Sequence, residues 1–198
     1  MYFIQPLFII PILKSDDKYI FSNEELNFIQ SLTKINKKGH FVSLDKNILF
    51  NPILSNMQSK ILEAIQVYVD NIIQPKNRLE FYITQSWVNF LQRGSEHPIH
   101  SHPNSILSGC IYINVVNDKL TFINPIFKAL QITSQNYNLY NAITHSISVE
   151  TGDIIIFDSS LQHTVLCSET EERVSIAFNV FVRGEIGDED LGDLLILS

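Results

Sequence analysis

A chain of 198 residues with 45% hydrophobic and 18% charged residues can bury the core of one domain, which argues against a disordered protein. Its net charge of −7, from 14 basic and 21 acidic residues, comes with no run of Lys or Arg long enough to track a phosphate backbone, so nucleic acid is not expected as a partner. The apolar start, Met1 to Leu13, is broken by Pro6 and Pro11, lacks a basic lead and is too short to cross a bilayer, so no membrane association is expected either.

In chain order, residues 2–14 alternate loosely and carry two prolines, as an edge strand can. Ser22 and Glu25 have the spacing of a capping box, and Leu26, Ile29 and Leu32 or Thr33 follow at helical spacing. A second helix is predicted from about Leu54 to Ile73, with the stripe Leu54, Met57, Ile61, Ile65, Tyr68 and Ile72, ended by Pro75. After residue 78 short β-rich runs follow one another: 79–91, 106–115, 119–123, 145–149, 154–158, 163–167 and 173–183. Turn signals separate them at Arg93-Gly94-Ser95, Pro103-Asn104-Ser105, Asn117-Asp118 and Thr151-Gly152-Asp153. Segment 126–144 is polar and Asn-rich and reads as a long loop of the kind that borders sites. Many short strands without intervening helices predict a sandwich or barrel of eight or so strands, with two helices packed on it. The whole chain reads as a single domain, 1–198, with a helical and edge-strand part to about 78, a β-core over about 79–184 and an acidic, solvated C-terminal tail. Cys110 and Cys167 lie in apolar strand-like runs without a CxxC neighbour, which predicts reduced core residues and a cytoplasmic protein.

Five of the six histidines lie between positions 97 and 163. In His100-Ser101-His102 the two imidazoles are two residues apart, and on a strand such residues point to one side, so both can reach one metal. His163, at a predicted strand start, is the best candidate for a third ligand from a distant strand. Three ligands on one face leave the opposite face open, although imidazole suits iron, zinc, copper or nickel alike. Arg173 and Ser175 share a strand face, and a guanidinium beside a hydroxyl inside a barrel makes a carboxylate-binding pair. The alternative for Arg173 is a surface pairing with Glu171 or Glu172. His97 falls in a predicted loop that can reach the pocket mouth, His145 is expected to be exposed, and Trp87 is expected in the core.

The ordered set His100-x-His102, a Gly-Asp turn into a strand, distal His163 and Arg173-x-Ser175 resembles the 2-oxoglutarate- and iron(II)-dependent oxygenases. Trp87-x-Asn89, the run His100-Ser101-His102-Pro103-Asn104-Ser105-x-Leu107-Ser108-Gly109 and Tyr112 are similar to a bacterial and phage subgroup of that superfamily. The resemblance covers roughly residues 85–182. It implies a double-stranded β-helix, a cupin-like jelly roll that is mainly β with flanking helices. It further implies iron(II) held by His100, His102 and His163, and 2-oxoglutarate as cosubstrate with its distal carboxylate on Arg173 and Ser175. Tyr112 could contact the cosubstrate or lie in the core, and Asn89, Ser105 and Ser108 would shape the pocket.

The activity implied is oxidation by O2, usually hydroxylation, coupled to decarboxylation of 2-oxoglutarate. The substrate, a small molecule or a protein side chain, is not legible in the sequence, and a homodimer is compatible with it. The superfamily's usual motif is HxD or HxE, so His102 is a departure that raises the site charge by one and leaves the metal open. It also argues against a halogenase, which needs a small residue at that position. Two other readings stand beside this one: a three-histidine dioxygenase that needs no keto acid, which has less use for Arg173 and Ser175, and a non-catalytic β-barrel that binds a metal or small ligand.

Overall fold

The computed structural model describes residues 1–37, 40–126 and 132–198. The chain runs β1 (Ile12–Lys14), α1 (Asn23–Ser31), β2 (Lys34–Lys37), β3 (His40–Ser43), α2 (Ser55–Tyr68), β4 (Leu79–Gln92), β5 (His97–His100), β6 (Leu107–Asn114), β7 (Asp118–Ile123), β8 (Thr144–Val149), β9 (Ile154–Asp158), β10 (His163–Val165), β11 (Glu172–Ile186) and β12 (Leu195–Leu197). The strands form a large sheet, β1-β9-β6-β11-β4-β3-β2 with β12 paired to β11, and a smaller one, β5-β10-β7-β8. The strand pairs within both sheets are antiparallel. Two facing sheets of this kind make the double-stranded β-helix of a mainly β protein with flanking helices.

Strand alternation sorts the large sheet's side chains into two cores. One face, with Val88, Phe90, Ile111, Ile154, Ile156, Ile176 and Phe178, packs under α2, whose Met57, Ile61, Ile65 and Tyr68 are buried against it. The other face looks into the sandwich, where Leu91, Tyr112, Ile155 and Phe157 meet Leu120, Phe122 and Val165 of the smaller sheet. The same parity puts Trp87, Asn89, Arg173, Ser175, Ala177, Asn179, Ser108 and Cys110 on the inner face, because β4, β11 and β6 are in register there: Asn89 opposes Ser175, which opposes Tyr112.

The helices start and stop as the sequence dictates, with some differences. Ser22 Oγ accepts from Glu25 N–H at 3.2 Å and Glu25 accepts from Ser22 N–H at 2.7 Å, a complete capping box. The second helix closes with a π turn over Val69–Ile73, and its last expected stripe residue, Ile72, is exposed. Gln74, in the left-handed region, ends it one residue before Pro75.

The first expected strand shrinks to Ile12–Lys14 at the sheet edge; Met1 to Ile10 joins no sheet and is exposed, and Pro6 and Pro11 cannot donate to a ladder. The predicted β-rich runs all carry strands, while β2, β3, β5 and β12 were not expected. Strand β12 folds the chain end back along β11 beyond the exposed acidic turn 188–193. Within the predicted loop 126–144, residues 127–131 lie outside the described ones; the rest up to 143 forms no regular element and lines no part of the site. Cys110 is on the inner face, but Cys167, expected in the core, is exposed in the loop after β10.

Candidate active site

Two strand ends, of β5 and β10, meet at one end of the small sheet. β5 and β10 pair so that His163 lies opposite His100, and two residues further His102 N–H donates to Ser159 O at 2.9 Å, which turns the chain back inward. The rings of His100 and His163 are 4.3 Å apart, those of His102 and His163 5.2 Å, and those of His100 and His102 5.1 Å. One nitrogen from each of the three lies within 4.8 Å of the others, a spacing that could hold a metal ion.

The outer nitrogens decide whether these residues suit a metal. His100 Nδ1 lies 2.8 Å from Pro98 O, His102 Nδ1 2.6 Å from Asn179 Oδ1, and His163 Nδ1 3.0 Å from Leu161 O. An amide oxygen can only accept, so each Nδ1 carries the proton and each Nε2 keeps its lone pair free. That is the tautomer a ligand histidine needs, and such supports also hold the ring orientation. Burial lowers the pKa of all three, and that of His163 falls to about 3, with the other imidazoles adding to the effect. Near neutral pH the cluster is therefore uncharged, as metal binding requires. The chemistry of the donor set fits a divalent ion.

Asn179 was not singled out by the sequence reading. Its amide oxygen takes hydrogen bonds from His102 and, at 3.0 Å, from Ser108 Oγ, whose neighbour Ser159 Oγ is 2.7 Å away and connects on to Ser105. Ser105 and Ser108 thus shape the site from behind, as supports of His102. The signal for Asn179 was present in the alternation 173, 175, 177, 179, which puts it on the face of Arg173 and Ser175.

A cavity of about 180 Å³ opens in front of the histidines, lined among others by Arg173, Ser175, Leu120, Cys110, Trp87 and Asn89. Arg173 is only 4% exposed, so its expected alternative of a surface pairing does not occur. Its Nη1 donates to Ser175 Oγ at 3.3 Å. Behind it, Asp118 Oδ2 stands 3.3 Å from Nε, out of line for a hydrogen bond but close enough for an ion pair. Ser168 Oγ donates to the same oxygen at 2.7 Å, so Asp118 is held in place. A buried cation is thereby neutralised on one side while its outer edge faces the cavity. The Asn117-Asp118 turn signal pointed to the position of Asp118 but not to this partner.

Tyr112 does not line the cavity. It is fully buried beneath Arg173, with the guanidinium carbon 5.1 Å from its ring centroid, and its hydroxyl has no partner among the described residues. Burial raises its pKa, so it stays a neutral phenol under the cation. Trp87, expected in the core, lines the cavity instead: it stacks on His102 with centroids 5.7 Å apart and donates from Nε1 to Asn89 Oδ1 at 3.1 Å. His97 lies in β5 rather than a loop and reaches the cavity, as does His40 of β3, which the sequence reading left aside. His145 is exposed, as expected. A larger hollow of about 470 Å³ lies elsewhere, between Phe50, Leu62, Tyr82 and Arg183, and gathers no comparable set of polar groups.

Comparison with known proteins agrees with this geometry. The model of the family described as "Putative 2OG-Fe(II) oxygenase" matches residues 85–179, the stretch that holds the three histidines, Arg173 and Asn179. Over that stretch the chain is similar to the 2-oxoglutarate/iron(II) oxygenase family. An oxidoreductase of the same family from Burkholderia pseudomallei superposes with a TM-score of 0.59 at 13% identity, over 85% of this chain and 83% of that one. HygX from Streptomyces hygroscopicus, solved with nickel, 2-oxoglutarate and hygromycin B bound, gives 0.59 at 11%, over 86% and 82%. A prolyl-4-hydroxylase from Pseudomonas putida gives 0.56 at 10%, over 86% and 92%. At these identities the likeness concerns the fold. No curated protein matches the chain in sequence.

Proposed function

We propose that the protein is an iron(II)- and 2-oxoglutarate-dependent oxygenase, in which His100, His102 and His163 hold the metal and Arg173 with Ser175 holds the distal carboxylate of the keto acid. One observation carries this reading: three histidines whose Nε2 lone pairs are left free share a single cavity with a buried arginine that turns its outer edge to the same space. Iron(II) bound there supplies O2 activation, with 2-oxoglutarate as the co-reductant that is converted to succinate and CO2 while the substrate is oxidised, usually by hydroxylation.

The chain's own residues supply position and surroundings. Carbonyls of Pro98, Leu161 and Asn179 orient the three rings. Asp118 and the Tyr112 ring hold Arg173 at a fixed place, and Ser175 offers a hydroxyl beside it. Leu120, Leu91, Val165 and Ala177 line the remaining wall and keep water out, which strengthens the ion pair to a bound carboxylate. A three-histidine dioxygenase without keto acid would leave this buried Arg173–Ser175 pair without a task.

The test is succinate formation from 2-oxoglutarate by the iron(II)-loaded protein under air, with His163→Ala as control. Succinate that depends on iron and on His163 supports the reading. Oxidation of a substrate with no requirement for 2-oxoglutarate would replace it with the keto-acid-free alternative.

A further inference from the structure

The cavity has a charge character opposite to that of the chain. Among the described residues that line it are five histidines and Arg173 but no carboxylate, in a chain of net charge −7. The single cation is already matched from behind by Asp118, so the surplus of donors lies further out.

The outer part lies between the two sheets, where β3 and β5 approach each other. His40 and His97 face one another there with ring centroids 4.6 Å apart, and His97 is 4.5 Å from His100. His40 Nδ1 is buried and has no partner among the described residues. Asn89 has its oxygen taken by Trp87, which leaves its amide N–H groups free among the described residues. Lys46 is half-buried beside this mouth, its ammonium 5.8 Å from the centre of the Trp87 ring. It donates to Ser43 O at 3.0 Å, and no carboxylate among the described residues stands within ion-pair distance. A partly desolvated ammonium with spare donors and no acid partner is costly unless an anion completes it. Nearby, Lys37 adds positive charge and Asp45 offsets part of it.

We propose that the substrate oxidised at this site carries a carboxylate or phosphate group, held at the cavity mouth by Lys46, His40 and the Asn89 amide, with Trp87 as the flat wall beside it. The proposal rests on the oxygenase reading only in calling this anion a substrate; the anion contact itself needs no turnover. Both anions offer the same planar or tetrahedral set of acceptor oxygens to N–H donors.

Trp87 is the sole tryptophan of the chain, so its fluorescence reports binding at this mouth directly. The experiment uses the full chain loaded with zinc(II) and saturating 2-oxoglutarate, so that Arg173 is already occupied. Benzoate, phenyl phosphate and the uncharged benzamide are then titrated. The expected result is saturable quenching by at least one of the anions at concentrations about tenfold or more below those needed for benzamide. Whichever anion binds more tightly names the group. Lys46→Met should remove the preference and Lys46→Arg should retain it. Equal binding of benzamide and the anions, absence of saturable binding by either anion, or a preference that survives in Lys46→Met would overturn the proposal. Titration of 2-oxoglutarate into the wild-type protein with and without zinc tests the oxygenase reading separately. If zinc-dependent binding of the keto acid is absent while the anion preference persists, the oxygenase reading falls and the anion site stands.

Discussion

Arg173 shows how a single side chain acquires a role from its surroundings. On a surface it would be one more cation beside Glu171 and Glu172. Buried on Tyr112 and held by Asp118, it turns its outer edge to the cavity. Arg173→Ala is expected to weaken 2-oxoglutarate binding by about 2–5 kcal/mol, since a desolvated ion pair is lost and the stranded carboxylate has no substitute. Metal affinity should change little. Calorimetric titration of the zinc-loaded proteins decides it, and unchanged keto-acid affinity would remove Arg173 from the site.

His102 and Asn179 make a second case at this scale. Under the proposed oxygenase reading, His102 takes the place of the more usual Asp or Glu ligand. His102→Asp should keep a metal site, because it restores two histidines and a carboxylate, whereas His102→Ala should lose affinity with only two ligands left. Iron(II) affinities of the two variants, measured anaerobically side by side, separate this from a role for His102 in the Pro103-Asn104 turn alone, under which both would bind like wild type. Asn179→Leu removes the acceptor that keeps the proton on His102 Nδ1. Metal affinity should fall by about 10–100-fold with the fold intact, the usual effect of losing an outer hydrogen bond on a ligand histidine. A dissociation constant equal to wild type would show that the Asn179 contact does not hold the His102 ring for the metal.

At the scale of elements, the site depends on register. Three antiparallel strands, β4, β11 and β6, must align so that Asn89, Ser175 and Tyr112 form one row and Trp87, Ala177 and Cys110 the next. A slip of one residue would carry Arg173 to the helix-covered face. Gly109 helps to hold that alignment, since a Cβ there would lie 2.5 Å from Ile155 O and against the ring of Phe178. Gly109→Ala should cost about 1–3 kcal/mol through displacement of Phe178 and of the β9 ladder. A urea midpoint equal to wild type would show that the sheet opens there at no cost.

The short strands β5 and β10 carry His100 and His163; β10 was expected over 163–167, whereas β5 was not. His97 to His100 is only four residues long, with Pro98 inside it, and no alternation can be read from so few positions. His163 to Val165 is shorter still. They hold together by pairing with each other and with β7, which local sequence does not encode.

For the whole molecule, burying neutral imidazoles sets a pH dependence. His97 and His163 both fall from the ordinary 6.5 to about 3, chiefly through burial. Between those values the unfolded chain takes up protons that the folded chain refuses, so the unfolded state binds more protons and stability rises with pH in that window. The metal-free protein should therefore lose stability as pH falls from about 6.5 towards 3 and show little histidine-dependent change above about 7.5. Urea midpoints of the metal-free protein at pH 7.5 and 5 test this, with His163→Gln as the flattened control. A wild-type midpoint that does not drop would mean that these rings are charged in the fold.

The sequence by itself determined the repeating features of this protein: the capped first helix, the amphipathic second, the long strands β4, β6 and β11, and the His-x-His, distal His, Arg-x-Ser order. Each is a local pattern, a period or a spacing along the chain, and it survives in one dimension. Only the tertiary structure decided that Asn179 supports His102, that Asp118 lies behind Arg173, that Tyr112 sits below the guanidinium instead of in the cavity, and that His40 and Lys46 reach the mouth. These residues come from strands up to 133 positions apart, as do His40 and Arg173, which line the same cavity. A hydrogen bond or ion pair between such residues depends on which sheets face each other and in which register, and neither quantity is written in any local stretch of the chain.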